Sequence, residues 1–349
     1  MTIAEAPLAA VFGLAGLSLT EAERAFFKRV RPAGYILFAR NINNPEQVSA
    51  MVSDLRNLTP DFEAFVLIDQ EGGRVQRLKP PHWRHAPASG EFEPLYATDP
   101  AKAEAMVRLN IQLIGEELKA LGIDVDCAPV ADVPVPGAHD VIGDRAFSKD
   151  PAIVARLGAA VCEGLWDAGV LPVIKHIPGH GRAMSDSHLE LPVVTAGLAE
   201  LRAADFVPFR QLSQLPGLMF AMTAHVVYTA IDPKNPATTS PKVISEIIRG
   251  EIGFDGILIS DDLGMKALAG PYDARAEAAR AAGCDLMLHC DGNLADMEAV
   301  ARTAGPLGAR GLKALADVQS RRPRAKIADA GVAQFKILDA LRQIEAKHV

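Results

Sequence analysis

Three histidines and an aspartate are concentrated in one segment of the chain, KHIPGHGRAMSDSHLELP, residues 175–192. His176, His180 and His188 offer imidazole nitrogens, and Asp186 offers a carboxylate two residues before the last of them. Side chains of these types serve as metal ligands, as parts of an anion-binding loop, or as an acid/base pair. The segment therefore indicates one of these three kinds of chemistry.

A metal site is the first possibility. His176 and His180 are four residues apart, but Pro178 and Gly179 lie between them and break the helical face on which a His-x-x-x-His pair binds zinc. The first apolar segment also lacks the His-x-His expected of a barrel metal-hydrolase. We therefore predict no metal and no other cofactor.

A phosphate-binding loop is the second possibility, and an acid/base pair is the third. The PGHG turn lacks the Lys-Ser/Thr ending of a phosphate-binding P-loop, so it fits a phosphate no better than a metal. Asp186 and His188 flank Ser187 in a segment with neither helical nor strand period. A carboxylate beside an imidazole orients the ring and stabilises its protonated form, so His188 could donate a proton to a leaving group. The Asp-x-His spacing by itself does not decide between the three kinds of chemistry.

Eight short apolar segments alternate with stretches of helical period, and these elements would have to position the side chains. The predicted strands are 11–17, 34–39, 64–70, 125–133, 170–177, 217–227, 256–262 and 285–290, and helical stretches include 44–58, 103–122, 152–169 and 241–253. Near-continuous apolar strands separated by helices favour an α/β fold of the (β/α)8 TIM barrel type. A doubly wound sheet is the runner-up, but no Gly-x-Gly-x-x-Gly follows the first strand. We predict one catalytic domain, 1–349, with 305–349 as a helical tail.

Ionisable residues follow six successive predicted strands at their C-terminal ends. In a (β/α)8 barrel these ends and the loops after them build the active site. A single charged residue at a strand end is often a cap or an ion pair, but six such positions at one rim favour a functional site. His225 and His289 could equally be packing residues. The residues are Asp69, Asp144 and Arg145, Lys175 and His176, His225, Asp261 and Asp262, and His289 and Asp291.

Composition limits the class of protein and its partners. Lys and Arg number 36 against 43 Asp and Glu, giving a net charge of −7 without a basic run, so nucleic acid is not an expected partner. No apolar run approaches the roughly 20 residues needed to span a bilayer. Residues 6–19 are apolar, but Glu5 stands where a signal peptide would be basic. The four cysteines form no Cys-x-x-Cys pair, which indicates free thiols in a cytoplasmic protein.

Several motifs together resemble glycoside hydrolase family 3, in particular its β-N-acetylglucosaminidases. Five motifs carry the resemblance, and they occur in the same order as in the family. Along the chain they are IDQEGGRVQRL, IGDRAFS, KHIPGHG, DSHLELP and ILISDDLGM, and the resemblance covers about Gly34 to Cys290. The resemblance implies a retaining exo-hydrolase that removes terminal β-linked N-acetylglucosamine. It further implies a cytoplasmic enzyme acting on recycled cell-wall fragments that carry 1,6-anhydro-N-acetylmuramic acid, with or without a peptide. No protein partner is implied.

The resemblance also implies a role for each residue that matches a family motif. Asp261 would be the nucleophile, and His188 with Asp186 would form the acid/base pair. The side chains that would bind the sugar are Asp69, Arg77, Arg145, Lys175 and His176. Residues 182–184, RAM, stand where the family is often polar and variable, which bears only on how the loop moves.

A histidine in the acid/base role departs from the usual pair of carboxyl groups about 5 Å apart in retaining glycosidases. An imidazole with an ordinary pKa of about 6.5 exchanges protons near neutral pH without the burial that a carboxylic acid would need. Three further functions stay open. They are a substrate-assisted hexosaminidase using Asp261 and Asp262, a β-N-acetylglucosaminide phosphorylase, and a catalytically silent sugar-sensing protein.

Overall fold

Eight parallel strands form the centre of the computed structural model, which describes residues 6–187, 189–320 and 323–345. They are β1 (Leu8–Gly13), β2 (Pro32–Leu37), β3 (Phe65–Ile68), β4 (Val125–Asp126), β5 (Leu171–Ile177), β6 (Phe220–Thr223), β7 (Ile257–Ile259) and β8 (Met287–His289). Consecutive strands pair in order from β1 to β7, and β1 also pairs with β8. Between β7 and β8 the ring is closed by a bridge of Ile259 with Leu286 and by a 2.9 Å hydrogen bond from the Ser260 N–H to the Leu286 carbonyl. The predicted TIM barrel is confirmed.

Helices alternate with these strands and surround the barrel. Their bounds are Glu21–Val30, Pro45–Asn57, Glu93–Thr98, Pro100–Ala120, Pro151–Ala168, Leu198–Ala203, Phe206–Leu212, the π-helical segment Val243–Glu251, Tyr272–Ala282, Leu294–Ala304, Ala309–Ser320 and Ala330–Glu345. The four helical stretches predicted from the sequence all coincide with helices of this set.

Three of the helices begin with the same local chemistry. Asn44, Asp99 and Asp150 each accept a hydrogen bond from a backbone N–H of the first turn, and each is followed directly by proline. The carboxylate or amide oxygen accepts from a backbone N–H that has no acceptor within the helix. Proline fixes φ near the helical value at a position whose N–H would also lack an intrahelical partner. The boundaries of these helices are therefore encoded locally.

Strand four is much shorter than predicted. The sequence predicts a strand over 125–133, but the regular ladder ends at Asp126. Pro129 lacks the N–H that a central strand must donate, so the chain continues as irregular backbone beside β5. Single contacts persist there, since the Ala131 N–H donates to the Lys175 carbonyl at 2.7 Å. This irregular segment carries Asp132 to the C-terminal end of the barrel.

A tight hairpin follows β3 at the same end. Residues Gln70–Gly72 pair antiparallel with Val75–Gln76. Gly72 and Gly73 have φ of 95° and 54°, a region that side chains disfavour, and a Cβ on Gly73 would lie 2.6 Å from that of Ala88. The two glycines thus allow the turn that holds the hairpin over the barrel.

The predicted helical tail over 305–349 contains the helices Ala309–Ser320 and Ala330–Glu345 in its described part. The second of them packs against Glu93–Thr98 and Pro100–Ala120, and it buries Ile337 and Ala340. The extent of the catalytic domain, 1–349, stays a prediction.

Cys127, Cys162, Cys284 and Cys290 are free and buried, as the sequence predicts. Among the described residues, no helix combines the length and the apolar character that crossing a bilayer requires.

Candidate active site

A cavity of about 500 Å³ opens at the C-terminal ends of the barrel strands. The family resemblance assigns a role to eight residues, and seven of them line the cavity. They come from β5 itself and from the segments after β3, β4, β5 and β7. These residues are Asp69, Arg77, Arg145, Lys175, His176, Asp186 and Asp261. His188, the eighth, lies outside the described residues. The fold therefore brings together side chains that are nearly 200 positions apart in the chain.

A network of five charged side chains lies along one wall of the cavity, and all of them except Glu71 line it. Lys175 is only 2% exposed, and its Nζ lies 2.8 Å from Asp69 Oδ1 and 2.7 Å from Glu71 Oε1. Arg145 contacts Glu71 through two parallel hydrogen bonds of 2.8 Å each. Arg77 donates to Asp69 Oδ2 at 3.2 Å. A buried lysine at the end of β5 is tolerable because it is paired on both sides.

The network keeps its members ionised. Burial alone would raise the pKa of the Asp69 carboxyl, but the positive charges of Lys175 and Arg77 outweigh it and hold that pKa well below its usual range. Glu71 behaves in the same way, with Arg145 and Lys175 outweighing the effect of burial on its pKa. Burial would lower the pKa of Lys175, and the two carboxylates raise it instead. These groups offer fixed acceptors and donors to a polar ligand near neutral pH.

A second network centres on Asp132. Its Oδ2 lies 2.7 Å from Nδ1 of His176, and its Oδ1 accepts the backbone N–H groups of His176 and His180 at 3.2 and 2.6 Å. Asp132 is fully buried, which would raise its pKa, but His176 is the largest of the effects that lower it. One carboxylate thus fixes both the ring of His176 and the start of the following loop.

The imidazole of His180 is directed along that loop. Its Nε2 lies 3.1 Å from Ser187 Oγ, and the Ser187 carbonyl accepts a hydrogen bond from the Ala267 N–H at 3.2 Å. Burial, followed by the neighbouring His176, lowers the pKa of His180 to about 4. The residue beside Asp186 is thereby joined to the segment that follows β7.

Asp261 and Asp262 follow β7 but have different surroundings. Asp262 Oδ1 accepts the N–H groups of Gly264 at 2.9 Å and Cys290 at 3.1 Å, so this carboxylate shapes the backbone. Both aspartates line the cavity. The Asp261 Oδ1 accepts the Asp262 N–H at 2.8 Å, and the Asp261 N–H donates to Thr223 Oγ1 at 3.3 Å. Because two backbone N–H groups hold the Asp262 carboxylate, Asp261 stays the candidate for meeting a substrate, as the motifs predict.

The two histidines that the sequence left undecided both lie within the barrel wall. His225 is fully buried between Thr238 Oγ1, 2.7 Å from Nδ1, and the Asp262 carbonyl, 3.0 Å from Nε2. It therefore packs beneath the segment that carries Asp261. His289 is also fully buried, against the ring of Tyr272 at 4.8 Å between centroids.

Sequence reasoning missed Glu71 and Asp132. Glu71 belongs to the quoted IDQEGGRVQRL motif, and its position two residues after Asp69 was a signal that could have identified it. Asp132 lies inside a segment assigned to a strand, where it had no special mark. Both are buried carboxylates that meet their partners only in the folded barrel.

Among the described residues that line the cavity, none form a group with the spacing of metal ligands. Within the part of the chain that the structure describes, one set of His, Cys, Asp or Glu side chains could surround an ion. That set is His289, Asp291 and Asp296, which do not line the cavity.

Comparison with known proteins identifies the family and agrees with the fold. The family description "Glycosyl hydrolase family 3 N terminal domain" matches residues 8–310. A beta-hexosaminidase of Alkalilimnicola ehrlichii is 45% identical over 285 residues, 80% of each chain. One from Stenotrophomonas maltophilia is 40% identical over 288 residues, 82% of this chain and 84% of its own.

A solved structure of NagZ from Neisseria gonorrhoeae in complex with N-trifluoroacetyl-D-glucosamine superposes with a TM-score of 0.79. The two sequences are 33% identical, and the match covers 96% of this chain and 98% of that one. The cavity lies at the C-terminal ends of the strands, where (β/α)8 barrel enzymes carry their active sites. The chain belongs to glycosyl hydrolase family 3, as its motifs predict, and it is a glycoside hydrolase.

Proposed function

We propose that the protein is a retaining exo-β-N-acetylglucosaminidase, a β-N-acetylhexosaminidase that removes a terminal β-linked N-acetylglucosamine. The observation that carries the proposal is the cavity in which Asp261 and Asp186 lie together with the buried charges of Asp69, Lys175 and Arg145. Relatives named beta-hexosaminidase and a NagZ solved with an N-acylglucosamine analogue support this substrate class.

In the first half of the proposed reaction, a carboxylate oxygen of Asp261 attacks the anomeric carbon of the sugar. The bond from that carbon to the glycosidic oxygen breaks, and this oxygen takes its proton from His188 with the assistance of Asp186. In the second half, a water gives its proton to His188 and its oxygen to the anomeric carbon, releasing Asp261. Two displacements at one carbon retain the configuration.

The sugar would be held by the charged wall of the cavity. Asp69 is ionised and can accept hydrogen bonds from hydroxyl groups, while Arg77 and Lys175 can donate to hydroxyl or acetamido oxygens. Glu71 fixes the guanidinium of Arg145 by its two hydrogen bonds. Because these groups are already paired and ordered, substrate binding costs little rearrangement. We assign His176, held by Asp132, to the same sugar site.

The physiological substrate we propose is a GlcNAc-1,6-anhydroMurNAc fragment or its peptide, met in the cytoplasm during peptidoglycan recycling. Support comes from the motifs that the chain shares with family 3 enzymes of that kind and from its likeness to NagZ. A small-molecule glycan is thus the expected partner.

The proposed activity is tested with an aryl β-N-acetylglucosaminide, using the matching aryl β-glucoside as control. We expect release of the phenol from the first substrate and a kcat/KM at least 100-fold lower for the second. The assay is repeated with inorganic phosphate, and the sugar product is identified. Equal rates on both glycosides would contradict the substrate class, and a sugar phosphate as main product would show a phosphorylase.

Hydrolysis should survive exhaustive chelation. The proposed mechanism uses carboxylate and imidazole groups alone, so removal of divalent ions with EDTA should change kcat by less than about twofold. A loss of turnover that zinc restores would contradict the acid/base role of His188.

A further inference from the structure

A cluster of three potential metal ligands lies outside the cavity, at the end of β8. His289 is the last residue of the strand, Asp291 lies in the loop after it, and Asp296 lies in the first turn of the helix Leu294–Ala304. One nitrogen of the imidazole and one oxygen of each carboxylate lie within 4.8 Å of one another. A short stretch of loop and helix therefore brings two carboxylates against one buried imidazole.

The imidazole of His289 is fully buried, yet neither ring nitrogen has a hydrogen-bond partner among the described residues. Asp291 Oδ1 lies 2.9 Å from Nε2, but it lies off the direction in which that nitrogen donates or accepts. Asp262 Oδ1 is 3.8 Å from Nδ1, too far for a hydrogen bond. A buried polar ring without partners is unusual and needs an explanation.

A bound cation would explain this geometry. Zinc takes imidazole nitrogen at about 2.0–2.1 Å and carboxylate oxygen at about 2.0–2.2 Å. His289 Nε2 and Asp291 Oδ1 are 2.9 Å apart, which is less than the sum of two such bond lengths. An ion bound to both atoms must therefore lie to one side of the line that joins them. The imidazole nitrogen then has to be directed away from Oδ1, as it is here. The Asp291 side chain is 43% exposed, which leaves room for water to complete the coordination.

The second nitrogen of the ring fits the same explanation. A metal-bound histidine commonly donates its other N–H to a carboxylate, which fixes the tautomer. Asp262 is the carboxylate beside Nδ1, and it is itself held by the Gly264 and Cys290 N–H groups. A small rotation of the imidazole would close this contact once an ion fixed Nε2.

From this arrangement we propose that His289, Asp291 and Asp296 form a binding site for a divalent transition-metal ion such as Zn²⁺. The site is separate from the proposed catalytic residues, and its ion takes no part in hydrolysis. Mixed nitrogen and oxygen ligands suit zinc better than magnesium or calcium, which prefer oxygen alone.

The first test locates the ion directly. Crystals of the EDTA-treated protein are soaked in zinc chloride, and anomalous difference maps are calculated from data on both sides of the zinc absorption edge. We expect a zinc peak between the three side chains. Its absence there, whether zinc binds elsewhere or not at all, would overturn the proposal.

The second test measures binding in solution by calorimetry with zinc chloride. Asp291→Asn and Asp296→Asn each remove a ligand charge at an exposed or half-buried position, so the fold should persist, and we expect at least tenfold weaker zinc binding. Glu46→Gln is the matched control, because Glu46 is an acid in the first turn of another helix, outside the cluster. Equal affinities in wild type and both aspartate variants would overturn the site, whatever the outcome of the glycosidase assay.

Discussion

Two adjacent aspartates after β7 show how surroundings assign different tasks to the same side chain. Asp262 is tied to two backbone N–H groups, and burial raises its pKa. It therefore orders the loop, and its backbone carbonyl accepts a hydrogen bond from the His225 ring. Both aspartates line the cavity, and the backbone of Asp261 is anchored on Thr223 at the end of β6. At the scale of single residues, the candidate nucleophile is positioned by neighbours that are themselves fixed.

The proposed roles of Asp261 and His188 can be separated by the leaving group. His188→Ala should greatly slow the release of sugar leaving groups but spare glycosylation by activated aryl substrates, since a good leaving group needs little protonation. Asp261→Ala should be nearly inactive on every substrate, because the attack always needs the nucleophile. Steady-state and burst kinetics over a series of leaving groups provide the measurement.

Azide supplies a second measurement on the same variants. It should accelerate turnover of His188→Ala, because an anion attacks the glycosyl-enzyme without a general base. Losses of equal size in both variants over the whole series, with no effect of azide, would show that His188 is not the acid/base.

Removing Lys175 should impair both activity and stability. Lys175→Ala removes the shared partner of Asp69 and Glu71, but each carboxylate keeps one arginine. The loss of folding free energy should therefore lie at the lower end of the about 3–5 kcal/mol that follows removal of one member of a buried ion pair. Arg145→Ala should likewise lower kcat/KM, by about 2 kcal/mol in transition-state binding or roughly 30-fold. Urea unfolding and kcat/KM are compared with Lys149→Ala, a change at an exposed lysine. An unchanged kcat/KM in both site variants would remove these residues from the sugar site.

At the scale of elements, the loop after β5 is held to the barrel at several points. The Tyr228 hydroxyl donates to the Gly179 carbonyl at 2.7 Å, and the Arg182 Nε donates to Asp205 at 2.6 Å. Asp132 accepts the N–H of His180 at the beginning of the loop, and Ser187 accepts a hydrogen bond from the segment after β7. The described part of the loop is thus anchored on both sides of Asp186.

Gly181→Ala should displace this loop. A Cβ at Gly181 would lie 2.1 Å from the Val133 carbonyl oxygen and 2.8 Å from Pro134 N, and backbone atoms cannot give way cheaply. We expect a kcat at least tenfold lower, with a loss of about 1–3 kcal/mol in stability. Gly197→Ala is the matched control, because nothing lies within 4 Å of its Cβ position. A Gly181→Ala enzyme with normal kcat would show that Asp186 need not be placed by this contact.

At the scale of the whole molecule, buried titratable groups make stability depend on pH. His180 is buried and its pKa is lowered to about 4 from 6.5, so the folded protein favours the neutral imidazole. The unfolded chain takes up the proton first as pH falls. His180 therefore contributes stability that is fully present above pH 6.5 and is lost between pH 6.5 and about 4.

His180→Gln should reduce this dependence. Between pH 7 and 4 the wild-type protein should lose roughly 3 kcal/mol more unfolding free energy than the variant. Urea unfolding at several pH values measures it, with His85→Gln as a control at an exposed histidine. Parallel curves for wild type and His180→Gln would contradict a neutral buried His180.

Much of the fold was determined by the sequence itself, because it depends on local patterns. Apolar runs of strand length alternate with amphipathic helical stretches, and such alternation has few compact solutions. Once the barrel is predicted, the C-terminal ends of all its parallel strands must lie at the same rim. Asp69, Lys175 and Asp261 are therefore expected to lie close together. The helices that begin with Asn-Pro or Asp-Pro are also encoded locally, because the capping side chain and the proline are neighbours in the chain.

Tertiary structure alone decided which partner each buried charge would have. Arg145 pairs with Glu71 across 74 positions, and Asp132 reaches His176 across 44, because the barrel places segments after different strands side by side. Pro129 ends the ladder of β4 early, which no apolar pattern shows, and thereby carries Asp132 into the site. Periodicity reports which residues are buried, whereas the pairing of charges depends on distances that exist only after the ring of strands has closed.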